Sequence, residues 1–360
     1  MLAIHAKTSE QRRSIVIYPA FDAFYYSFYL EGIREVFGAC NVHFSYEPFP
    51  ALGSNCFAFI LTGTHKSRVL IDAYDGALIR NDIGIEWSDV HGKVNLVSSQ
   101  VPDKYRARSV PIGPSFPIRL WSRCKAWLVA CENYRTTVHG FKNAPEHFAN
   151  YRRQYKYRLP LSQYVPGQVR ANYVFHSSTL WPEVEDASGC ASTNRYRAQF
   201  MEACKSVKEV CFEGGFRFNP SAVGDLAMKY RECLEARPFS HPDWLEKTKA
   251  SVLVFNTPSV WGSHGYKLAE YLALGKAIIT TPLARELPAP LVHGEHVHII
   301  DGSRESFKEA IDQLLRDSYY RNRLENNARN YFLQFLSPAR VIERLVAPED
   351  QTSDACLTNR

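Results

Sequence analysis

The sequence predicts an α/β protein of two halves, each a parallel sheet covered on both faces by helices. Three observations carry that prediction. The chain has 360 residues, too many for one ordinary core and suited to two domains. Short apolar runs rich in β-branched residues alternate with helical patterns along its length. The pattern breaks at a polar stretch holding Pro166 and Gly167 and restarts at Ala171, which sets the domain boundary.

The first half opens on SIVIYP (14–19), a buried strand, followed by an aromatic helix from Asp22 to Gly38 that ends on glycine as helices often do. Further strands are predicted in VHFSYEP, CFAFILTG, RVLIDAYDG and KVNLVS, and a closing helix from Arg123 to Phe141. The second half begins with the strand ANYVFHSSTLW (171–181) and the helix TNRYRAQFMEACKSV. The strand EVCFEGGF and the helix SAVGDLAMKYRECL follow, then the buried strand ASVLVFNTP (250–258). After HVHIID the chain reads as helix through Leu336, then as a last short helix SPARVIERLV. The polar tail from Pro348 is expected to fray.

Composition narrows the class. Apolar residues make up 45% and charged residues 22%, the balance of a soluble globular protein. No apolar run approaches the roughly 20 residues that span a bilayer, and the first residues lack a signal-peptide pattern. Nine cysteines show no CxxC and no zinc spacing, so reduced thiols in a cytoplasmic protein are expected. The net charge of +6 is modest and not concentrated as in a nucleic-acid binder. The densest basic stretch, from Asn150 to Arg170, reads either as a solvated connector or as a surface for anionic headgroups or a charged acceptor.

The segment GYKLAEYLALGKAIITTPL (265–283) packs a helix, a tight turn and a buried strand together. Ser263 is the expected helix cap, and Gly262 and Gly265 let a ligand approach the backbone. Free amides at the positive end of that helix form an anion site. Lys267 and Glu270, three apart, share a face. They suit a diphosphate and a ribose respectively, or else form a surface ion pair of under about 1 kcal/mol.

YKLAEYLALGKAIITTPL, followed by ELPAPLVHGEHVHIIDG and the NNARNYF run, resembles the nucleotide-sugar half of GT-B glycosyltransferases of group 1, the family-4-like set. The resemblance covers about Ala250 to Leu345. It implies two Rossmann-like doubly wound domains facing each other across a cleft: 1–167 binding the acceptor, 168–335 binding the donor, and 336–360 returning a helix to the first domain. By position in the motif, Glu270 would contact the ribose, Tyr266 and Lys267 the diphosphate, and Thr280, Thr281 and Pro282 the nucleotide. The pattern departs at Gly262, where retaining members carry a second glutamate, so the stereochemical course is left open. His264 stands nearby, as a substitute contact or as a plain loop residue.

Other candidates come from strand ends. Ser177, Ser178 and Thr179 offer hydroxyls and amides for phosphate, and Arg195 and Arg197 open the next helix with charge for the leaving group. Gly214 and Gly215 would let a base or ribose close to a strand. In the first half Asp22 is the candidate base for an inverting reaction, or the cap of the helix beside it. Asp72, Asp75, Asp89 and His91 read first as turn residues or structural partners.

No DxD, GxGxxG, Walker loop, HExxH or GxSxG occurs. The resemblance implies a glycosyltransferase without a bound cofactor, taking a nucleoside diphosphate sugar as donor, and the missing DxD adds the expectation that it is metal-independent. Its acceptor would be a polysaccharide, another glycan or a lipid-linked one, with a peripheral contact at the inner face of a membrane. The rival expectations are a non-catalytic nucleotide-sugar-binding subunit with the same fold and, more remotely, a sugar epimerase.

Overall fold

The computed structural model describes residues 14–38, 41–53, 56–62, 66–137, 143–183, 189–218, 225–235 and 237–347. The first domain holds a six-stranded sheet of β1 (Ser14–Ile17), β2 (Asn41–Phe44), β3 (Phe57–Thr62), β4 (Ser67–Asp72), β5 (Val90–Lys93) and β6 (Ser109–Pro111). Their order is β2-β1-β3-β4-β5-β6. One strand departs from the parallel expectation: β3 runs antiparallel to both β1 and β4, while the other pairs are parallel. Only four residues separate Thr62 from Ser67, far short of the dozen or more that a parallel crossover needs.

The first-domain helices are α1 (Ser27–Phe37), α2 (Asp82–Trp87), α3 (Asp103–Arg106), α4 (Arg123–Thr137) and α5 (Ala144–Tyr157). The aromatic helix begins five residues later than the sequence suggests, because residues 22–26 form a turn. The strand expected in KVNLVS ends at Lys93. The largest departure is α5: residues 150–157 of the basic stretch, read as a connector or as a surface for anionic groups, are helical, with His147, Tyr151 and Gln154 buried at helical spacing.

The second domain is wound as expected. Strands β7 (Tyr173–Thr179) and β8 (Cys211–Arg217) pair in parallel, as do β9 (Val254–Asn256), β10 (Ile278–Thr280) and β11 (His298–Ile299) in the order β11-β10-β9. Ser251 ties the two groups together. Its hydroxyl accepts from the Phe175 amide at 2.9 Å and donates to the Leu253 carbonyl at 2.7 Å, and the Val252 amide donates to the Tyr173 carbonyl at 2.8 Å. Around this sheet lie α6 (Cys190–Ser206), α7 (Leu226–Lys229), α8 (His241–Ala250), α9 (Tyr266–Ala273), α10 (Arg304–Arg316) and α11 (Ser318–Tyr331). The expected helix SAVGDLAMKYRECL is broken into α7 and a 3-10 turn at Arg231–Cys233, its first four residues lying outside the described ones. The tail from Pro348 and the end of the helix expected to reach Phe141 also lie outside them.

The inner strands of these sheets are largely buried on both faces, which is why they read as continuous apolar runs. On β3, Phe57 and Phe59 enter one core and Ala58 another; on β9, Val254 faces one core and Phe255 the other. The first of these cores is shared. It runs from Ile15 and Phe57 through Leu268 and Tyr271 to Leu345, so apolar burial fastens the domains together. The last helix, α12 (Pro338–Val346), crosses back to α1. At Gly32 a Cβ would stand 2.3 Å from the Pro338 carbonyl oxygen and 2.7 Å from Ile342 Cγ1, so only glycine admits that approach. Among the described residues no disulfide forms, and no helix is long and apolar enough to cross a membrane.

Candidate active site

The carboxyl ends of β7–β10 open toward the first domain, where ligands of such sheets bind. Two contacts clamp the domains there. Asn95, in the loop after β5, accepts the His264 amide hydrogen at 2.8 Å. Ser98 donates from its amide and its hydroxyl to the two carboxylate oxygens of Glu286, both at 2.6 Å, and the Glu286 amide donates to the Leu96 carbonyl at 3.0 Å.

At the mouth of this cleft stands the start of α9. Gly265 takes the N-cap position and offers no side-chain cap, so Ser263 is not the cap the sequence suggests. Ser263 is buried and interacts instead with Asp75 from the loop after β4. The amides of Gly265, Tyr266 and Lys267 have no acceptor among the described residues. The nearest atom to a Cβ on Gly265 would be Ser259 Cβ at 3.8 Å, so the backbone there is open to a ligand. Tyr266 is half exposed, its ring 6.2 Å from that of Tyr25 in the first domain.

The charges gather one turn along. Lys267 donates to the Ser177 carbonyl rather than pairing directly with Glu270. Burial, reinforced by Arg197 and Arg217, holds its ammonium well below the usual lysine range. Glu270 is buried, and its carboxylate has no hydrogen-bond partner among the described residues. Burial pushes it up to about 7, against the pull of Arg158 and Lys267. Arg158, just past α5, is the functional candidate that sequence reading passed over. Its guanidinium lies 4.8 Å from the Phe24 ring centre, with Nη1 3.4 Å from His241 Nδ1, and its Nε is buried with no partner among the described residues. Glu235 was also missed: it accepts from the Ser177 hydroxyl, and its other oxygen is buried with no partner among the described residues.

Several candidates fall elsewhere. Arg195 is exposed, with its guanidinium 5.1 Å over Tyr196, and it lines a cavity of about 940 Å³ together with Trp261, Gly262 and Arg304. Arg197, two residues on and so on another side of the helix, is buried and donates to the Thr179 carbonyl at 3.1 Å. Burial lowers its pKa to about 10. Ser178 is turned inward, its hydroxyl 3.2 Å from His176 Nε2. Thr281 is buried with its hydroxyl 2.8 Å from that of Thr257. Gly215 does not make room for a ligand: at φ +154° a Cβ would stand 2.6 Å from the Cys233 carbonyl oxygen and 2.8 Å from the Glu235 amide nitrogen. His264 is a buried part of the interdomain clamp, its Nε2 3.4 Å from the Glu286 carbonyl, and burial drives its pKa down to about 4.

Asp22 does not cap α1, whose N-cap position is Tyr26 without a side-chain cap; it holds the turn ahead of that helix. Its Oδ1 accepts the amides of Phe24 at 2.8 Å and Tyr25 at 3.4 Å, and its charged neighbours are Arg153 and Glu146 on α5. Asp75 is a first-domain carboxylate that reaches Ser263, just ahead of α9. Desolvation raises its pKa while Ser263 and Lys93 hold it down, and its charge is felt by Tyr266. Behind it Asp72 is engaged by Lys93 at 2.9 Å and lies 3.9 Å from His91 Nε2. Among the described residues no cluster of three or more His, Cys, Asp or Glu side chains is arranged to hold a metal.

Residues 238–331 match the family model of glycosyl transferases group 1, a span that contains α8, β9, α9, β10 and the Glu270 turn. Among curated proteins none matches the chain. Solved structures similar to it include a C-terminal domain of a group 1 family glycosyl transferase, LpcC, from Francisella tularensis, at 13% identity and TM-score 0.36, covering 48% of this chain and 96% of that one. Anabaena Alr3699/HepE, in complex with UDP and glucose, aligns at 12% identity and TM-score 0.43 over 73% of this chain and 63% of its own. A glycosyltransferase from Rickettsia africae aligns at 11% and 0.44 over 76% and 68%. The chain carries two α/β domains, and the segment matched by the group 1 model lies in the second.

Proposed function

We propose that this chain, whose residues 238–331 match the family model of group 1 glycosyl transferases, moves a glycosyl unit from a nucleoside diphosphate sugar to an acceptor hydroxyl. The observation that carries this reading is the uncapped start of α9, where Lys267 feels the charges of Arg197 and Arg217, with the unpartnered Glu270 carboxylate one turn further in. Free amides and the helix dipole favour a diphosphate. In the reaction the bond from the anomeric carbon to the diphosphate oxygen breaks, and a bond to the acceptor oxygen forms. The departing diphosphate gathers charge, which preorganised amides and cations stabilise in a site closed to water. Glu270 accepts hydrogen bonds from ribose hydroxyls, a use that explains a buried carboxylate left without protein partners.

The proton released by the acceptor needs a base on the first-domain side. Asp75 suits this role better than Asp22, because its carboxylate borders the mouth of α9 while that of Asp22 is turned to its own helix start and to α5. The acceptor itself is proposed by class only, as a glycan, polysaccharide or lipid-linked hydroxyl.

A second reading, a nucleotide-sugar-binding subunit without transfer activity, is favoured by one observation. Gly262 sits where retaining members have their other glutamate, at φ +70° and 3.4 Å from the Arg285 guanidinium to a would-be Cβ. A side chain there is strained, so the loop is built without that acid. The deciding experiment is thermal shift with UDP-, GDP-, ADP- and CMP-linked sugars, followed by assay of free nucleotide release with the donor that stabilises. Stabilisation with release supports transfer, stabilisation without release or transfer to any acceptor supports the second reading, and no stabilisation by any donor overturns both.

A further inference from the structure

We propose that the outer face of the α4–α5 hairpin docks on an anionic lipid surface. The hairpin's inner face is conventional, with Ala126, Val129 and Ala130 of α4 and Tyr151 of α5 in the core. The outer face is not. Trp127 is 59% exposed and Leu128 64%, side by side, and the Trp127 ring lies 4.9 Å from that of Phe148 on α5. Single exposed apolar residues are ordinary, but these line a groove of about 980 Å³ between the helices, bordered by Arg123, Arg152 and Lys156.

The charge around that groove selects the occupant. The two helices carry six cationic side chains (Arg123, Lys125, Arg135, Arg152, Arg153, Lys156) against two carboxylates, Glu132 and Glu146. A Trp–Leu–Phe floor inside a cationic rim matches the boundary between headgroups and acyl chains. Indole and aliphatic groups sit at that depth while lysine and arginine reach back to phosphates. A second copy of the chain would bring a like-charged rim against this one, which is repulsive. The face is fixed with respect to the cleft. Asn133 Nδ2 donates to the Pro19 carbonyl at 3.2 Å, and Arg153 lies 4.7 Å over Phe24, both in the loop between β1 and α1. A bilayer held here borders the first-domain side of the cleft. The inference does not rest on the transfer reaction, since docking is read without donor or acceptor.

The test is co-sedimentation of the full chain with phosphatidylcholine vesicles, with and without phosphatidylglycerol, at low and high salt. Binding is expected only with the anionic lipid and is weakened by salt. Each cation near such a surface raises partitioning roughly fivefold, so Arg123→Gln/Arg152→Gln/Lys156→Gln lowers it by roughly a hundredfold. Trp127→Ser/Leu128→Ser lowers it by roughly tenfold or more through lost apolar insertion. Both variants change exposed residues, and an unchanged melting temperature shows that folding is kept. Equal binding to neutral vesicles, binding unaffected by both variants, or no vesicle binding overturns the proposal. So does a wild-type dimer that Trp127→Ser/Leu128→Ser converts to monomer in sedimentation velocity, since the face is then covered by a second copy.

Discussion

His264 and Asn95 join the two domains through one short hydrogen bond, the backbone amide of the first donating to the side-chain oxygen of the second at 2.8 Å. Both residues are buried. Asn95→Ala leaves that amide without a partner, and the expected cost is about 1–3 kcal/mol, read as a lower denaturant midpoint. The His264 side chain adds a pH signature. Its folded pKa is about 4 against an ordinary 6.5, so the unfolded chain takes up a proton first on acidification. Stability from this group is full above pH 6.5 and is lost as pH falls toward 4, and His264→Asn flattens that part of the profile.

Arg195 and Arg197 separate the site from the surface. Arg197→Met is expected to weaken nucleoside diphosphate binding by roughly tenfold or more, since a buried cation beside a diphosphate is lost. Arg195→Met changes it by less than about twofold, as an exposed charge does. Isothermal titration of both variants with the stabilising nucleotide checks the contrast.

Glu270 titrates near neutrality. Its folded pKa, about 7, stands above the ordinary 4.5, so the folded state favours the protonated acid. The stability it contributes is full below pH 4.5 and is lost as pH rises through 7. Glu270→Gln removes that dependence and is more stable than wild type at pH 8, by as much as about 3 kcal/mol. Paired thermal unfolding at pH 5 and pH 8 measures the difference. Equal slopes in the two proteins contradict a buried, unpartnered carboxylate.

Asp75 and Asp22 divide catalysis from structure. Asp75→Asn is expected to lower turnover by roughly a hundredfold or more with little change in donor affinity, because a general base acts on the proton and not on the donor. Asp22→Asn keeps most activity and lowers the melting temperature, because its carboxylate holds the turn ahead of α1. Turnover and melting temperature of each variant decide the assignment.

How much of this was legible in the sequence depended on the distance over which each signal acts. The stretch from Gly265 to Thr280 was readable because one amphipathic helix, a glycine turn and an aliphatic strand announce themselves within sixteen positions. Helix α5 was missed because its buried face is His147, Tyr151 and Gln154, residues that read as polar although their spacing is helical. That spacing is a usable signal, as it is for Arg197, which falls in phase with the buried Thr193, Asn194, Ala198 and Met201 of α6. The reversed direction of β3 was written in its four-residue connection to β4. The approach of Arg158 to Glu270 was not legible, because over a hundred residues separate them and only the fold brings them together.

The central claim is that the start of α9 holds the phosphates of a nucleotide while Glu270 holds its ribose. A crystal soaked with the nucleoside diphosphate that stabilises the protein measures this directly. Density for the terminal phosphate against the amides of Gly265, Tyr266 and Lys267, with ribose hydroxyls within hydrogen-bond distance of Glu270, is the predicted result. A nucleotide bound elsewhere, with no ligand atom within hydrogen-bond distance of Glu270, contradicts it.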